Sequence, residues 1–155
     1  MRTTEEVVKE EQDSLDLYKA FAVDVDEEKE GRWFENFVPG LDLKIARQNN
    51  TIYQRFFGTE LEAAQLKARD EGSVLTPEIT ESIMNRAIAK AILVDWRGNG
   101  TAGLNYKGEL LGYTYENALS IVGDPEMHEF RDRVWQRAGN FENFLKSRER
   151  ADAKN

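Results

Sequence analysis

Arg32-Trp33-Phe34-Glu35-Asn36-Phe37-Val38-Pro39-Gly40-Leu41-Asp42-Leu43-Lys44-Ile45-Ala46-Arg47 is the stretch on which the reading of the chain turns. Its first half is rich in aromatic and β-branched residues, which suit a pleated, half-buried surface. Pro39-Gly40 is a turn signal. Beyond it, Leu41, Leu43 and Ile45 alternate with Asp42 and Lys44, the period of a strand with one face buried. The stretch predicts a β-hairpin. Phe21–Val25 upstream reads as a third strand, and the acidic run from Asp26 to Glu30, closed by Gly31, as the turn before the hairpin. A hairpin alone is marginal in water, so this one must pack on the residues downstream of it.

The downstream residues read as helical. Tyr53, Phe57, Leu61 and Ala64 recur at helical spacing, with Ile52 and Phe56 widening the stripe, and predict a helix from about Asn49 to Asp70. Thr76-Pro77-Glu78 opens a second helix with a capping hydroxyl, a proline in the first turn and an acid at the positive dipole end. Its stripe of Ile79, Ile83, Ala87 and Ala91 predicts continuation to about Trp96. Arg97-Gly98-Asn99-Gly100 breaks it, and a loop rich in glycine and asparagine is expected to reach Gly112. Thr114 caps a short helix to Val122. Asp124-Pro125-Glu126 starts a last one, with Met127, Phe130, Val134, Ala138, Phe141 and Leu145 along one face. The expected fold is mostly α (α+β): an N-terminal hairpin or small sheet packed on about four helices. The expected organisation is a single domain over residues 21–146, between an acidic segment at 1–20 and a polar tail at 147–155.

A chain of 155 residues suits one core of modest size. It has no cysteine, which removes disulfides, thiolate metal sites and cysteine nucleophiles together. No apolar run approaches the ~20 residues of a membrane span, and the first residues lack an apolar signal core, so residence where the chain is made is expected. The net charge of −8 is unevenly spread. Residues 1–30 hold 11 acids and 4 bases, leaving the remainder almost balanced. A basic footprint for nucleic acid is missing. The acidic end reads either as a solvated segment or as an arm for a basic partner.

The residues for common site chemistries do not assemble in sequence. His128 is the only histidine, and it lies beside the apolar stripe of the last helix without adjacent partners that would make it a base or ligand. None of the serines sits in a nucleophile elbow. Gly98-Asn99-Gly100-Thr101-Ala102-Gly103 lacks the Gly-Lys-Ser/Thr ending of a phosphate loop. The acids from Asp24 to Glu30 lack calcium-loop spacing. No catalytic residue, cofactor or metal is therefore expected. Among the aromatics, Trp96 reads as core, while Trp33 and Trp135 stand evenly between core and interface. Tyr106, Tyr113 and Tyr115, in or just after the predicted loop, are the candidate partner anchors.

In its order of motifs the chain resembles the tail assembly chaperones of long-tailed bacteriophages. Ala91-Ile92-Leu93-Val94-Asp95-Trp96-Arg97-Gly98 is similar to the end of that family's central helix, which runs into an acid-tryptophan pair. Lys107-Gly108-Glu109-Leu110-Leu111-Gly112-Tyr113-Thr114 resembles the element after its variable loop, and Glu116-Asn117-Ala118-Leu119 its next helix start. The closing pattern appears as Asp124-Pro125-Glu126-Met127, Phe130-Arg131-Asp132, Ala138, Asn140, Phe141 and Phe144. Upstream, Leu43-Lys44-Ile45-Ala46-Arg47 leading to Tyr53 resembles its hairpin and first helix. The resemblance covers residues 21–145. It gives Ile45, Asp95, Trp96, Glu116, Asn117, Asp124, Pro125, Phe130, Asn140 and Phe144 structural roles.

The resemblance implies a non-catalytic protein of the bacterial host cytoplasm that binds the tape measure protein, keeps it soluble and recruits tail tube protein, with self-association left open and no nucleic acid or membrane among its partners. The runner-up is a structural minor tail or connector protein of the virion. A DNA mimic, from another class, needs phosphate-like spacing of carboxylates over a body that is here nearly balanced.

Overall fold

The computed structural model describes residues 16–146. The expectations for a mobile acidic segment before residue 16 and for a polar tail from 147 lie outside the described residues.

The predicted hairpin forms. Strand β1 (Arg32–Val38) pairs antiparallel with β2 (Leu41–Ile45), and Gly40 supplies the positive φ of the turn between them. Register shifts between Phe34 and Val38, where Asn36 takes a φ of 52° and donates its amide to Asp42 Oδ1 at 2.9 Å. This bulge allows both Phe34 and Phe37 to pack against the core.

The third strand of this sheet is not Phe21–Val25. It is β3 (Leu93–Gly98), antiparallel to the far side of β2 in the order β1-β2-β3. Only Val23 makes a bridge, and its partner is Leu145. The acidic run is also not a turn. Asp24 caps a short helix by accepting from the amides of Asp26 and Glu27, and the acids lie at the positive end of its dipole. Two short helices thus precede the sheet: α1 (Leu17–Phe21) and α2 (Val25–Glu30). Gly31 ends α2 at a φ of 100°, and a Cβ there would stand 2.7 Å from Val94 Cγ2.

Helix α3 (Thr51–Asp70) runs within two residues of its expected bounds, and α4 (Pro77–Ala91) begins at the predicted cap. Helix α4 stops at Ala91, earlier than expected. Ile88-Ala89, then Ala91-Ile92-Leu93, is an apolar run broken only by Lys90, and periodicity alone cannot separate a buried helix end from a buried strand. Strand pairing decides it: Leu43 faces Trp96 and Ile45 faces Leu93. The expected loop to Gly112 is instead a second hairpin, β4 (Gly103–Tyr106) and β5 (Glu109–Gly112). Lys107 and Gly108 turn it with φ values of 51° and 82°, the double positive φ of a tight hairpin turn.

Helix α5 (Tyr115–Val122) follows its Thr114 cap as predicted. The last helix is shorter than expected. A 3₁₀ turn over Pro125–Met127 leads into α6 (His128–Gly139), and a second 3₁₀ turn takes Phe141–Phe144. Asn140 is the break: extended at φ −93°, ψ 106°, it ends one element and caps the next by accepting from Glu142 N.

The architecture is a mixed α+β fold. The inner face of the sheet (Leu43, Ile45, Trp96) meets Ile88 and Ile92 of the α4 end, Ala118, Ile121 and Val122 of α5, and Val134 and Ala138 of α6 in one core. Asn50 ties the sheet side to the helix side. Buried, its side chain accepts from Tyr53 N at 2.9 Å as the α3 cap, and donates to the carbonyls of Arg47 (2.7 Å) and Ala91 (3.0 Å). Asn50→Ala removes the cap and leaves the Ala91 carbonyl buried without that donor. The expected loss is about 1–3 kcal/mol, read by urea unfolding. Asn50→Ser, which retains a capping oxygen, should recover part of it.

Candidate functional site

A cleft of about 1020 Å³ opens between the first half of α4 and the α5–α6 junction. Its walls carry Glu81, Asn85, Arg86, Lys107, Asp124 and Arg131, with His128 among them. The charges neutralise one another. Arg131 holds Glu81 at 2.8 Å and donates to Asn85 Oδ1 at 3.1 Å, while Arg86 holds Glu60 at 3.1 Å. Asp124 is the most heavily engaged acid. Its Oδ2 accepts from the Tyr106 hydroxyl and from Lys107 Nζ, the latter at 2.9 Å, and its Oδ1 caps the following turn through Glu126 N at 3.0 Å.

Those contacts set its proton affinity. The Tyr106 hydroxyl first, then Lys107, then the Glu126 amide pull the Asp124 carboxyl down to about 2. Tyr106 and Lys107 are raised by the same carboxylate, and Arg131 is raised chiefly by Glu81. Each displaced group moves away from neutrality. The cluster joins the β4–β5 turn to the α5–α6 corner. Among the described residues no group of three His, Asp or Glu side chains is placed to hold a metal ion, and no helix is long and apolar enough to cross a membrane.

The aromatic candidates are dispersed. Trp33 lies half-buried in β1, capped by the Arg97 guanidinium 4.2 Å from its ring centroid. Arg97 also pairs with Asp42 at 2.7 Å, and with the Asn36 amide it holds the Asp42 carboxyl below the usual carboxylate range. Tyr106 is on β4, tied to Asp124. Tyr113 is half-buried and donates towards the carbonyls of Leu93 (2.6 Å) and Ala89 (3.2 Å); burial first, and the nearby Asp95 charge second, push its hydroxyl up to about 12. Tyr115 opens α5 with Lys90 Nζ 5.7 Å from its ring centroid. Trp135 packs on Tyr53 at 5.5 Å. Only Tyr106, Tyr113 and Tyr115 share a region, around the second hairpin and the start of α5.

Most residues singled out by the resemblance hold the fold together. Ile45 and Phe144 are fully buried, and Phe144 meets Phe34 edge-on. The Asp95 carboxylate accepts from Trp96 N, and the Trp96 indole donates to Leu111 O at 3.0 Å. Asn117 donates to Gly112 O at 2.9 Å, with Glu116 beside it in the first turn of α5. Pro125 fixes the turn after Asp124, and Phe130 meets Phe37 edge-on at 5.7 Å. Asn140 caps the closing turn.

Sequence reading passed over Arg97, Asp42 and Asn50, gave no site role to Leu17 or Tyr18, and placed Phe21 and Val25 in a strand. The last four stand exposed on α1 and α2. Asn49-Asn50-Thr51 before a helical stripe was a cap signal that pointed to Asn50.

The chain belongs to the YdaY prophage protein family, whose model matches residues 48–155. It is therefore phage-derived. The match takes in everything from α3 onward, while α1, α2, β1 and β2 precede it. No curated protein and no solved structure matches the chain.

The Asp124 cluster predicts a pH signature. Because its folded pKa is depressed from 3.8 to about 2, its stabilisation is present above 3.8 and disappears as pH falls towards about 2. Asp124→Asn keeps a capping oxygen but not the charge. Wild type should melt above the variant at neutral pH, and the gap in Tm should close across that acid window in a calorimetric pH series.

Proposed function

We propose that this protein is a non-catalytic tail assembly chaperone: in the cytoplasm of the bacterial host it binds the tape measure protein, keeps that long helical chain soluble and recruits tail tube subunits. Membership of a prophage family supports a phage setting, and the order of motifs along residues 21–145 supports the tail. The observation that carries the reading is the set of large apolar side chains left outside a closed core. Leu17, Phe21 and Val25 stand out on α1 and α2, and Leu66, Val74 and Ile79 around the connection of α3 to α4. Helical partners are taken up by exposed apolar side chains of this kind.

Co-expression with the tape measure protein of the same genome tests this. The tape measure protein should become soluble and co-elute with this chain in size exclusion. If it stays insoluble and this chain elutes alone, the reading fails. Stable presence in purified virions would then favour a minor tail or connector protein.

A further inference from the structure

Helix α3 carries two apolar stripes, and the fold uses one of them. Tyr53, Phe57, Leu61 and Ala64 form its half-buried side, along α4, with Tyr53 packed on Trp135 at 5.5 Å. Roughly a third of a turn away, at about 100° per residue, runs a second series. Ile52, Phe56, Thr59, Ala63 and Leu66 follow one another at steps of four, three, four and three residues. Ile52 and Leu66 are 41% and 45% exposed, Thr59 and Ala63 are exposed, and Phe56 is half-buried. Steps that alternate between four and three make the a/d seam of a coiled coil, narrower than a stripe that packs on a globular body. Asp70, at the next place in the series, closes it.

The charges flanking the seam select its occupant. With Ile52, Thr59 and Leu66 at d and Phe56 and Ala63 at a, Arg55 and Glu62 fall at g, and Glu60 and Lys67 at e. In a parallel pair of helices each g side chain meets the e side chain five residues further along its partner. A second α3 running in the same direction therefore sets Arg55 against Glu60 and Glu62 against Lys67, each pair occurring twice by symmetry. Arg55, Glu62 and Lys67 are exposed and make no ion pair among the described residues. Arg86 holds Glu60 through Oε2 at 3.1 Å, and Glu60 Oε1 accepts no bond among the described residues, so a second cation can reach it. The reverse orientation, overlapped over the same length, would set Glu62 against its own copy and Arg55 against Arg69.

We infer that α3 is the contact surface between two copies of this chain, which meet side by side and in the same direction along the Ile52–Leu66 seam. The body packs on a different side of the helix, which leaves the seam open to the second copy. A seam of about two heptads, about 21 Å long, makes this a weak, concentration-dependent dimer. The pairing goes beyond the chaperone reading and does not depend on it. Of the exposed apolar side chains that reading leaves for a partner, the dimer covers Leu66 alone.

Sedimentation equilibrium of the full chain, from about 1 μM to about 1 mM, should show the mass rising from 17.8 kDa towards twice that value. Leu66→Ser changes an exposed side chain and should weaken association by about tenfold, with an unaltered circular dichroism spectrum. Glu62→Lys and Lys67→Glu each set like charges against one another, and each should weaken association by about fivefold to tenfold. A mixture of these two variants should associate as wild type does, because residues 62 and 67 then meet with opposite signs in the mixed dimer. The chain has no cysteine, so an introduced thiol is unique. Mild oxidation should link Leu66→Cys into a dimer quickly and Gln65→Cys, exposed on another side of α3, slowly. A monomer throughout the range, or a dimer that Leu66→Ser leaves intact, overturns the proposal. So does failure of the mixture to restore association, or equal rates of linking by the two thiols, since the helices then do not meet in this register.

Discussion

The buried indole of Trp96 is the point at which the separate parts of this chain become one structure. It lies in β3 opposite Leu43, donates to the carbonyl of Leu111 in β5, and meets the Tyr113 ring edge-on at 5.0 Å. Tyr113 in turn donates towards the carbonyls of Leu93 and Ala89, the start of β3 and the last turn of α4. A tryptophan is buried without penalty only when its N–H finds an acceptor, and here the acceptor belongs to the second hairpin. The three-stranded sheet, the second hairpin and the end of α4 are therefore fixed by the same pair of side chains. The early stop of α4 follows from this: a helix continued to residue 96 would give up both the pairing with β2 and the indole bond.

Around that anchor, polar groups are used mainly to lock junctions. Asn50 joins the start of α3 to the end of α4, Asp124 joins the β4–β5 turn to the α5–α6 corner, and Asn143 donates to Arg137 O beneath the last turn. Surface ion pairs contribute little each. Asp124, where one carboxylate receives a hydroxyl, an ammonium and an amide, constrains geometry more than any isolated pair. The cleft beside α4 is thus a neutralised seam.

Legibility in the sequence followed the physics of each signal. The first hairpin was readable because Pro39-Gly40 and the Leu41/Leu43/Ile45 alternation agree. Helices α4 and α5 were readable at their starts, because Thr76 and Thr114 are capping residues ahead of an apolar stripe, and α3 was readable from the spacing of Tyr53, Phe57, Leu61 and Ala64. β3 was hidden because Ile92-Leu93-Val94 continues an apolar run, and only pairing with β2 distinguishes strand from helix there. The second hairpin was hidden by Lys107-Gly108, a weaker turn signal than Asn-Gly. The last helix was drawn too long because Phe141 and Leu145 keep helical spacing across Asn140, although Leu145 pairs with Val23. For the site, sequence pointed to an acidic end that could meet a basic partner. It could not show that Leu17, Phe21 and Val25 point outward, since short helices fixed by long-range backbone bonds leave no periodic trace.

The size of the α1–α2 face bears on what kind of binding it supports. Burying a large aliphatic or aromatic side chain gives at most ~1.5–3 kcal/mol, and association costs at least ~4 kcal/mol in lost freedom before side chains are ordered. Four partly exposed side chains therefore yield a weak, reversible contact. Contacts this weak hold a partner only where several act together, because linked sites raise the effective concentration of their neighbours; a permanent interface buries a larger, more apolar area.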